Sequence, residues 1–241
     1  MRVETVQYDV GGEPRVGQLA VPDGGDGVGG PRACVLVCHG AAGLTEGVEH
    51  DAVRLAELGY VTFALDYLGR APRRSDVAAR AAALRTDRPA IVRAARAGLE
   101  QLLACPDADA TRVAALGYCF GGTMALELAR DWPELRAAIG FHPSMPAPAP
   151  ELDRRIQASV LLCCGADDPY VPRDSVMAFG AALTEAEVQD WRIELYGGVQ
   201  HSFTDLAMVG RDAPGASYDE RAARRSWGSA TALLAEVAAR S

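Results

Sequence analysis

The chain contains no lysine and no asparagine. All 24 of its basic Lys+Arg positions are therefore arginine. The missing lysine excludes a Schiff-base lysine, a Walker-type phosphate-binding lysine and the strand lysine of protein kinases. The missing asparagine excludes N-glycosylation sequons and a Cys-His-Asn triad. No stretch reaches the roughly 20 apolar residues that a membrane span requires. The Met-Arg-Val-Glu-Thr start has no apolar signal core, so secretion is not expected either. Basic charge is in deficit: 24 Lys+Arg against 32 Asp+Glu leave a net charge of −8, which disfavours nucleic-acid binding through phosphate neutralisation. Cysteine is sparse, at 6 in 241 residues, and Cys34, Cys38, Cys163 and Cys164 sit in apolar runs. That pattern suits free thiols in a reducing cytoplasm rather than a disulfide scaffold. No cysteine spacing reads as a zinc site, and His39, His50, His142 and His201 show no helical His-x-x-x-His pairing.

What is present is an alternation. A length of 241 residues suits one domain over 1–241, with 49% apolar residues to build its core. Two short strands are expected near 2–10 and 15–21, then a loose Gly-rich loop at 23–30. From residue 33 the apolar runs 33–38, 61–65, 113–116, 137–141, 160–164 and 191–196 read as strands. The segments between them, 48–58, 74–104 with a break around Pro89, 120–130, the stretch after Pro172 and 218–239, read as helices. Residues 143–150 (PSMPAPAP) read as an extended connection. Strands alternating with helices predict an α/β fold with a mostly parallel sheet covered on both faces.

Sites in open α/β sheets gather at the carboxyl ends of strands. Four segments of interest lie there. Gly117-Tyr118-Cys119-Phe120-Gly121 stands between a strand and a helix. This is the Gly-x-nucleophile-x-Gly pattern with cysteine as nucleophile, and its glycines are what a sharp strand-to-helix turn requires. The helix amino end favours a thiolate. Gly165-Ala166-Asp167-Asp168 follows the strand at 160–164, and either acid could orient a histidine. Gly197-Gly198-Val199-Gln200-His201 follows the strand at 191–196 and offers a general base. His39-Gly40-Ala41-Ala42-Gly43 follows the strand at 33–38, where a Gly-rich loop supplies one oxyanion N–H. The oxyanion donors assigned are Ala41 and Phe120. The order nucleophile, acid, histidine is that of α/β-hydrolases.

GYCFGG at 117–122, GADDPYVP at 165–172 and GGVQHSF at 197–203 resemble the dienelactone hydrolase family (carboxymethylenebutenolidases and relatives). GYVTFALDYLGR at 59–70, FHPS at 141–144 and the segment from Tyr218 to RRSW at 224–227 extend the likeness over nearly the whole chain. The resemblance implies an α/β-hydrolase fold without a large lid and a Cys119–His201–Asp168 triad acting on a small ester or lactone. Its Asp-x-x-Val-Pro pattern selects Asp168 over Asp167. It also implies Arg70 as a substrate-binding residue. Two positions depart from the family. Gly40 replaces a glutamate that follows the position of His39, and Asp205 replaces a second arginine. These departures point to direct activation of Cys119 by His201, and to a neutral or less charged ester, lactone or thioester.

The expected chemistry is two-step acyl transfer through a thioester, with no metal and no organic cofactor. The expected setting is a cytoplasmic monomer or homodimer with a small-molecule substrate, no nucleic acid and no membrane. Two other uses of these residues stay open: the same triad in a non-hydrolytic cyclisation or isomerisation, or Cys119 as a redox or binding thiol. The remaining cysteines, His39, His142 and the three tryptophans read as packing or structural residues.

Overall fold

The computed structural model describes residues 1–24, 30–69 and 74–239. Eight strands form one sheet in the order β1-β2-β4-β3-β5-β6-β7-β8. They are β1 (Arg2–Val10), β2 (Glu13–Val21), β3 (Arg32–Cys38), β4 (Val61–Leu65), β5 (Ala108–Tyr118), β6 (Ala137–Phe141), β7 (Ser159–Gly165) and β8 (Trp191–Tyr196). β1 pairs antiparallel with β2, and β2 with β4; every pairing from β4 to β8 is parallel. The helices are α1 (Glu46–Glu57), α2 (Arg74–Leu84), α3 (Arg88–Leu103), α4 (Phe120–Asp131), a short α5 (Pro150–Asp153), α6 (Arg173–Glu185) and α7 (Glu220–Ala239). Among the described residues none is long and apolar enough to cross a membrane.

The period-two rule divides the strand residues between two cores. Cys34, Leu36 and Cys38 of β3 face the side packed by α3, α4 and α6. Ala33, Val35 and Val37 face the side packed by α1 and α7. Each helix turns a stripe inward. In α1 it is Val48, Ala52, Leu55 and Ala56; in α7 it is Ala222, Ala230, Leu233, Leu234 and Val237. Each such leucine or valine contributes about 1.5–3 kcal/mol through burial.

α4 is different. Every residue from Phe120 to Arg130 is buried, so its polar side chains need partners inside. Thr123 Oγ1 donates to Ser144 O at 2.6 Å. Arg130, fully buried, donates to Glu127 Oε1 at 2.7 Å and Asp153 Oδ1 at 2.8 Å, and Arg88 closes the chain on Glu127 Oε2 at 2.6 Å.

Several boundaries differ from the sequence expectation. β2 starts at Glu13 because Gly11 and Gly12, at φ 64° and 89°, make a two-residue hairpin turn. The long helical stretch does divide, but Pro89 lies in the first turn of α3 rather than at its end, and Asp87 caps that helix by accepting from Ala90 N at 3.0 Å. β5 extends back to Ala108. The expected extended connection holds to residue 149, and Pro150 opens α5. Residues 25–29 of the Gly-rich loop lie outside the described residues.

Candidate active site

β5 ends at Tyr118 and α4 begins at Phe120, so Cys119 alone makes the turn. Its backbone sits at φ 51°, ψ −115°, a region that L residues rarely adopt. The two flanking glycines leave no alternative at their positions. A Cβ on Gly117 would lie 2.1 Å from Gly121 O, and one on Gly121 2.2 Å from Cys38 O. The turn is pinned from three sides. Cys119 N donates to Phe141 O at 3.0 Å, and Cys119 O accepts from Gly122 N at 3.0 Å and Ser144 N at 3.1 Å.

Of the six free cysteines, five are buried and Cys119 is half-buried. Burial pushes Cys34 and Cys164 up to about 12, and Cys38 and Cys163 still further. Cys119 goes the other way. Burial would raise it too, but the hydrogen bond and charge of His201, then Arg85 and the Phe120 N–H, bring it down to about 7.

Asp168 and His201 come from the loops after β7 and β8. His201 Nδ1 donates to Asp168 Oδ2 at 2.6 Å. The other carboxylate oxygen accepts from Tyr170 N at 2.8 Å and Val171 N at 3.0 Å. Burial disfavours the cation on His201, yet its bonds to Asp168 and Cys119 outweigh that and raise its pKa to about 9. Asp167, the competing acid, is exposed, and its N–H donates to Val199 O at 3.0 Å.

The loop after β3 folds as a tight turn, with Gly43 N donating to Gly40 O at 3.2 Å and Ala41 within it. It leans on the nucleophile: a Cβ on Gly40 would lie 3.4 Å from Cys119 Cβ. His39 anchors this loop. Its ring stacks on Tyr67 at 3.8 Å between centroids, its Nδ1 bonds Gly40 O at 2.7 Å, and its carbonyl accepts from Tyr67 Oη. His142, at φ 38°, sets its ring edge-on to His201 with centroids 4.9 Å apart, and its Nε2 lies 2.9 Å from Thr204 Oγ1. Burial, then the charge of His201, pushes His142 well below the usual histidine range, so it is neutral beside a charged neighbour.

The structure thus brings Cys119, Asp168, His201, Phe120 and the loop of Ala41 to one place. It does not test Arg70, which lies outside the described residues. Asp205 is exposed and caps the short turn Leu206–Met208 by accepting from Ala207 N at 2.9 Å. Sequence reasoning missed Arg85 and Ser144. Arg85 Nη2 lies 3.8 Å from Cys119 Sγ, Arg85 Nη1 donates to Ser144 Oγ at 3.0 Å, and Ser144 Oγ lies 4.0 Å from the same sulfur. Ser144 could have been suspected from the FHPS segment; nothing local marks Arg85. A separate cavity of about 300 Å³, lined by Arg32, Tyr60 and Arg112 among others, opens at the opposite, amino end of β3. All three Arg112 guanidinium nitrogens there are already bonded, to Asp109, Ala238 O and Pro31 O. Among the described residues no group of three or more His, Cys, Asp and Glu side chains is arranged to hold a metal ion.

Known proteins resemble this chain over nearly its whole length. Residues 19–238 match the model of the dienelactone hydrolase family. A solved structure titled m3DLH is 36% identical, covers 99% of both chains and superposes with a TM-score of 0.90. A second, a dienelactone hydrolase-like promiscuous phosphotriesterase from metagenomic libraries, is 35% identical over 98% of both chains, also at 0.90. A protein of Bradyrhizobium described as a probable 2-oxo-3-(5-oxofuran-2-ylidene)propanoate lactonase is 29% identical over 94% of this chain and 93% of its own. The chain therefore belongs to the dienelactone hydrolase family: it is an enzyme of the α/β-hydrolase fold that hydrolyses ester or lactone bonds.

Proposed function

We propose that Cys119, His201 and Asp168 are the catalytic triad and that hydrolysis runs through a thioester acyl-enzyme. The observation that carries the reading is geometric: Cys119 stands alone on a positive-φ strand-to-helix turn, and His201, whose charge acts on that sulfur, is held by Asp168 at 2.6 Å. The opposed shifts, Cys119 down to about 7 and His201 up to about 9, favour the thiolate–imidazolium pair between those values. The thiolate attacks the carbonyl carbon. The N–H groups of Ala41 and Phe120 receive the oxyanion, each worth about 3–4 kcal/mol of barrier by analogy with other acyl-transfer enzymes. The tetrahedral intermediate collapses, the C–O bond breaks, and His201 gives its proton to the leaving alkoxide. A water then enters, His201 takes its proton, and the hydroxide attacks the thioester. The acid leaves and the sulfur returns as thiolate. Asp168 holds the imidazole by Nδ1, leaving Nε2 to handle both protons.

The substrate class that fits is a small neutral or weakly charged ester or lactone, handled by a monomer or homodimer in the cytoplasm without nucleic acid or membrane. In this reading the chain works as one domain over 1–241 and needs neither metal nor organic cofactor. Arg70 remains proposed as a substrate contact, and Asp205 as the position that disfavours a second negative charge. A paired assay tests the substrate part. An uncharged aryl ester is expected to give a kcat/KM at least tenfold above its carboxylated analogue; the reverse preference would reject a neutral substrate.

A second substrate class is supported by one feature, the Arg85 and Ser144 pair beside the sulfur, together with the activity named for the phosphotriesterase relative. The same thiolate would attack phosphorus in an aryl dialkyl phosphate, forming an S–P bond as the aryl P–O bond breaks and the phenol leaves with the His201 proton; water deprotonated by His201 would then cleave the S–P bond and release the dialkyl phosphate. Phenol release that disappears in Cys119→Ala supports this; release that persists in that variant refutes it.

A further inference from the structure

Arg85 and Ser144 take no proton and make no bond in the acyl-transfer scheme, yet they are organised around the sulfur. Ser144 is fixed by its backbone: its N–H holds Cys119 O at 3.1 Å and its carbonyl accepts from Thr123 at 2.6 Å. That sets Ser144 Oγ 4.0 Å from Cys119 Sγ, as an anchor for the guanidinium. Arg85 follows the last residue of α2 and spreads two nitrogens as a fork, one on Ser144 Oγ at 3.0 Å and one toward Cys119 Sγ at 3.8 Å. Its guanidinium also lies over the ring of Phe120, 4.9 Å from the centroid, so three contacts fix its direction. Arg88, three residues on, pairs instead with Glu127 at 2.6 Å. The Arg85 guanidinium is thus aimed at sulfur.

We propose that Arg85, braced by Ser144, is an electrostatic and positioning partner of Cys119 that keeps its sulfur as a thiolate in the free enzyme, before any substrate binds. The inference rests on the reading of Cys119 as the nucleophile and adds a second cation to it. The groups facing the sulfur are His201 from the loop after β8, the Phe120 N–H from α4, Ser144 from the loop after β6, Tyr67 from the end of β4 and Arg85. Gly40 adds no side chain, and Asp168 reaches the sulfur through His201. Tyr67 is neutral, since burial holds its phenol well above the ordinary range. Of these groups, Arg85 carries a fixed positive charge and His201 gains one when protonated. A cation within about 4–6 Å favours the ionised form of an acid, so the thiolate is the form this surface selects.

The test reads the sulfur itself. The second-order rate of iodoacetamide alkylation of Cys119 is followed by intact mass from pH 5 to pH 10 in the wild type, Arg85→Gln, Arg85→Lys and Ser144→Ala, with Cys119→Ser as the background for the other five thiols. Arg85 is exposed, so its replacement leaves the core untouched. The expected result is a profile moved to higher pH in Arg85→Gln, with alkylation about three- to tenfold slower at pH 6 and equal to wild type at pH 10. Arg85→Lys keeps most of the wild-type rate, Ser144→Ala shifts in the direction of Arg85→Gln by a smaller factor, and 1 M salt narrows the difference between wild type and Arg85→Gln. Superimposable wild-type and Arg85→Gln profiles would overturn the proposal. Turnover of a neutral aryl ester is measured on the same samples. If Cys119→Ser keeps turnover while the alkylation shift stands, the nucleophile assignment fails and the role of Arg85 survives.

Discussion

His201 Nδ1 lies 2.6 Å from Asp168 Oδ2, and the second oxygen of that carboxylate is held by two backbone N–H groups of its own loop. Asp168 therefore cannot swing away from the imidazole without abandoning Tyr170 N and Val171 N. The same loop sets Tyr170 edge-on to His201 at 5.4 Å between centroids, while His142 closes the other side at 4.9 Å. The histidine is held by one strong bond and two ring contacts, and is free to exchange protons only at Nε2.

Replacing Asp168 by asparagine tests that relationship. The amide keeps the shape but presents an N–H to His201, which favours the wrong tautomer. The expected loss is about 10⁴-fold in kcat on an aryl ester, by analogy with the same change in serine hydrolases. Circular dichroism and Tm are expected to stay close to wild type, because both Oδ1 hydrogen bonds can persist. A loss below tenfold would contradict the role given to Asp168.

The rate should follow pH in a bell. Cys119 is competent once deprotonated, so kcat/KM is expected to rise with pH through about 7. The leaving group needs a proton from His201, so the rate should fall above about 9 as that proton is lost. The two midpoints belong to the coupled pair rather than to either residue alone. In Arg85→Gln the acid limb moves up and the alkaline limb stays. A profile with no limb between pH 6 and 10 would contradict the ion pair.

Gly121→Ala should disable the fold around the nucleophile. The added methyl would stand 2.2 Å from Cys38 O and 2.5 Å from His39 O, both backbone atoms that cannot yield cheaply. A loss of about 3 kcal/mol or more is expected from urea unfolding. Gly40→Ala, whose methyl meets nothing nearer than 3.4 Å, is expected to fold normally.

Arg130→Met removes the buried cation that Glu127 and Asp153 share, leaving Glu127 with Arg88 alone and taking from the buried Asp153 its ion-pair partner. Stranding a buried carboxylate costs about 3–5 kcal/mol, so a large fall in unfolding free energy is expected. Replacing Glu127, Arg130 and Asp153 together by apolar residues of similar volume should recover much of that loss.

Much of this architecture can be read in the chain. Runs such as ACVLVC at 33–38 and LLCC at 161–164 are apolar on both alternating faces, which only a strand buried on both sides requires, and β3 and β7 occupy them. Cys119, Asp168 and His201 were legible as candidates because each follows a strand end within a Gly-bearing loop. The first half of β5 was not legible. Ala108–Arg112 (ADATR) has no apolar run, and its strand character comes from a bulged pairing that puts Ala108 opposite Arg32. Arg85 was not legible either. It stands in Ala-Leu-Arg-Thr-Asp-Arg between two helices, without a period or motif, and only tertiary folding brings it within 3.8 Å of a sulfur 34 residues away. His142 was read as structural, but its contact with His201 depends on a left-handed backbone that no local sequence feature announces.

The most direct measurement is the intact mass of the protein, quenched in acid within seconds of mixing with an activated acyl ester, followed by peptide mapping, with Cys119→Ser run in parallel. The expected result is a single acyl adduct on Cys119 that forms with a burst of leaving group and decays at the steady-state rate, and no such thioester in the variant. Turnover at the wild-type rate by Cys119→Ser, or an adduct on any other residue, would contradict the assignment of Cys119 as the nucleophile.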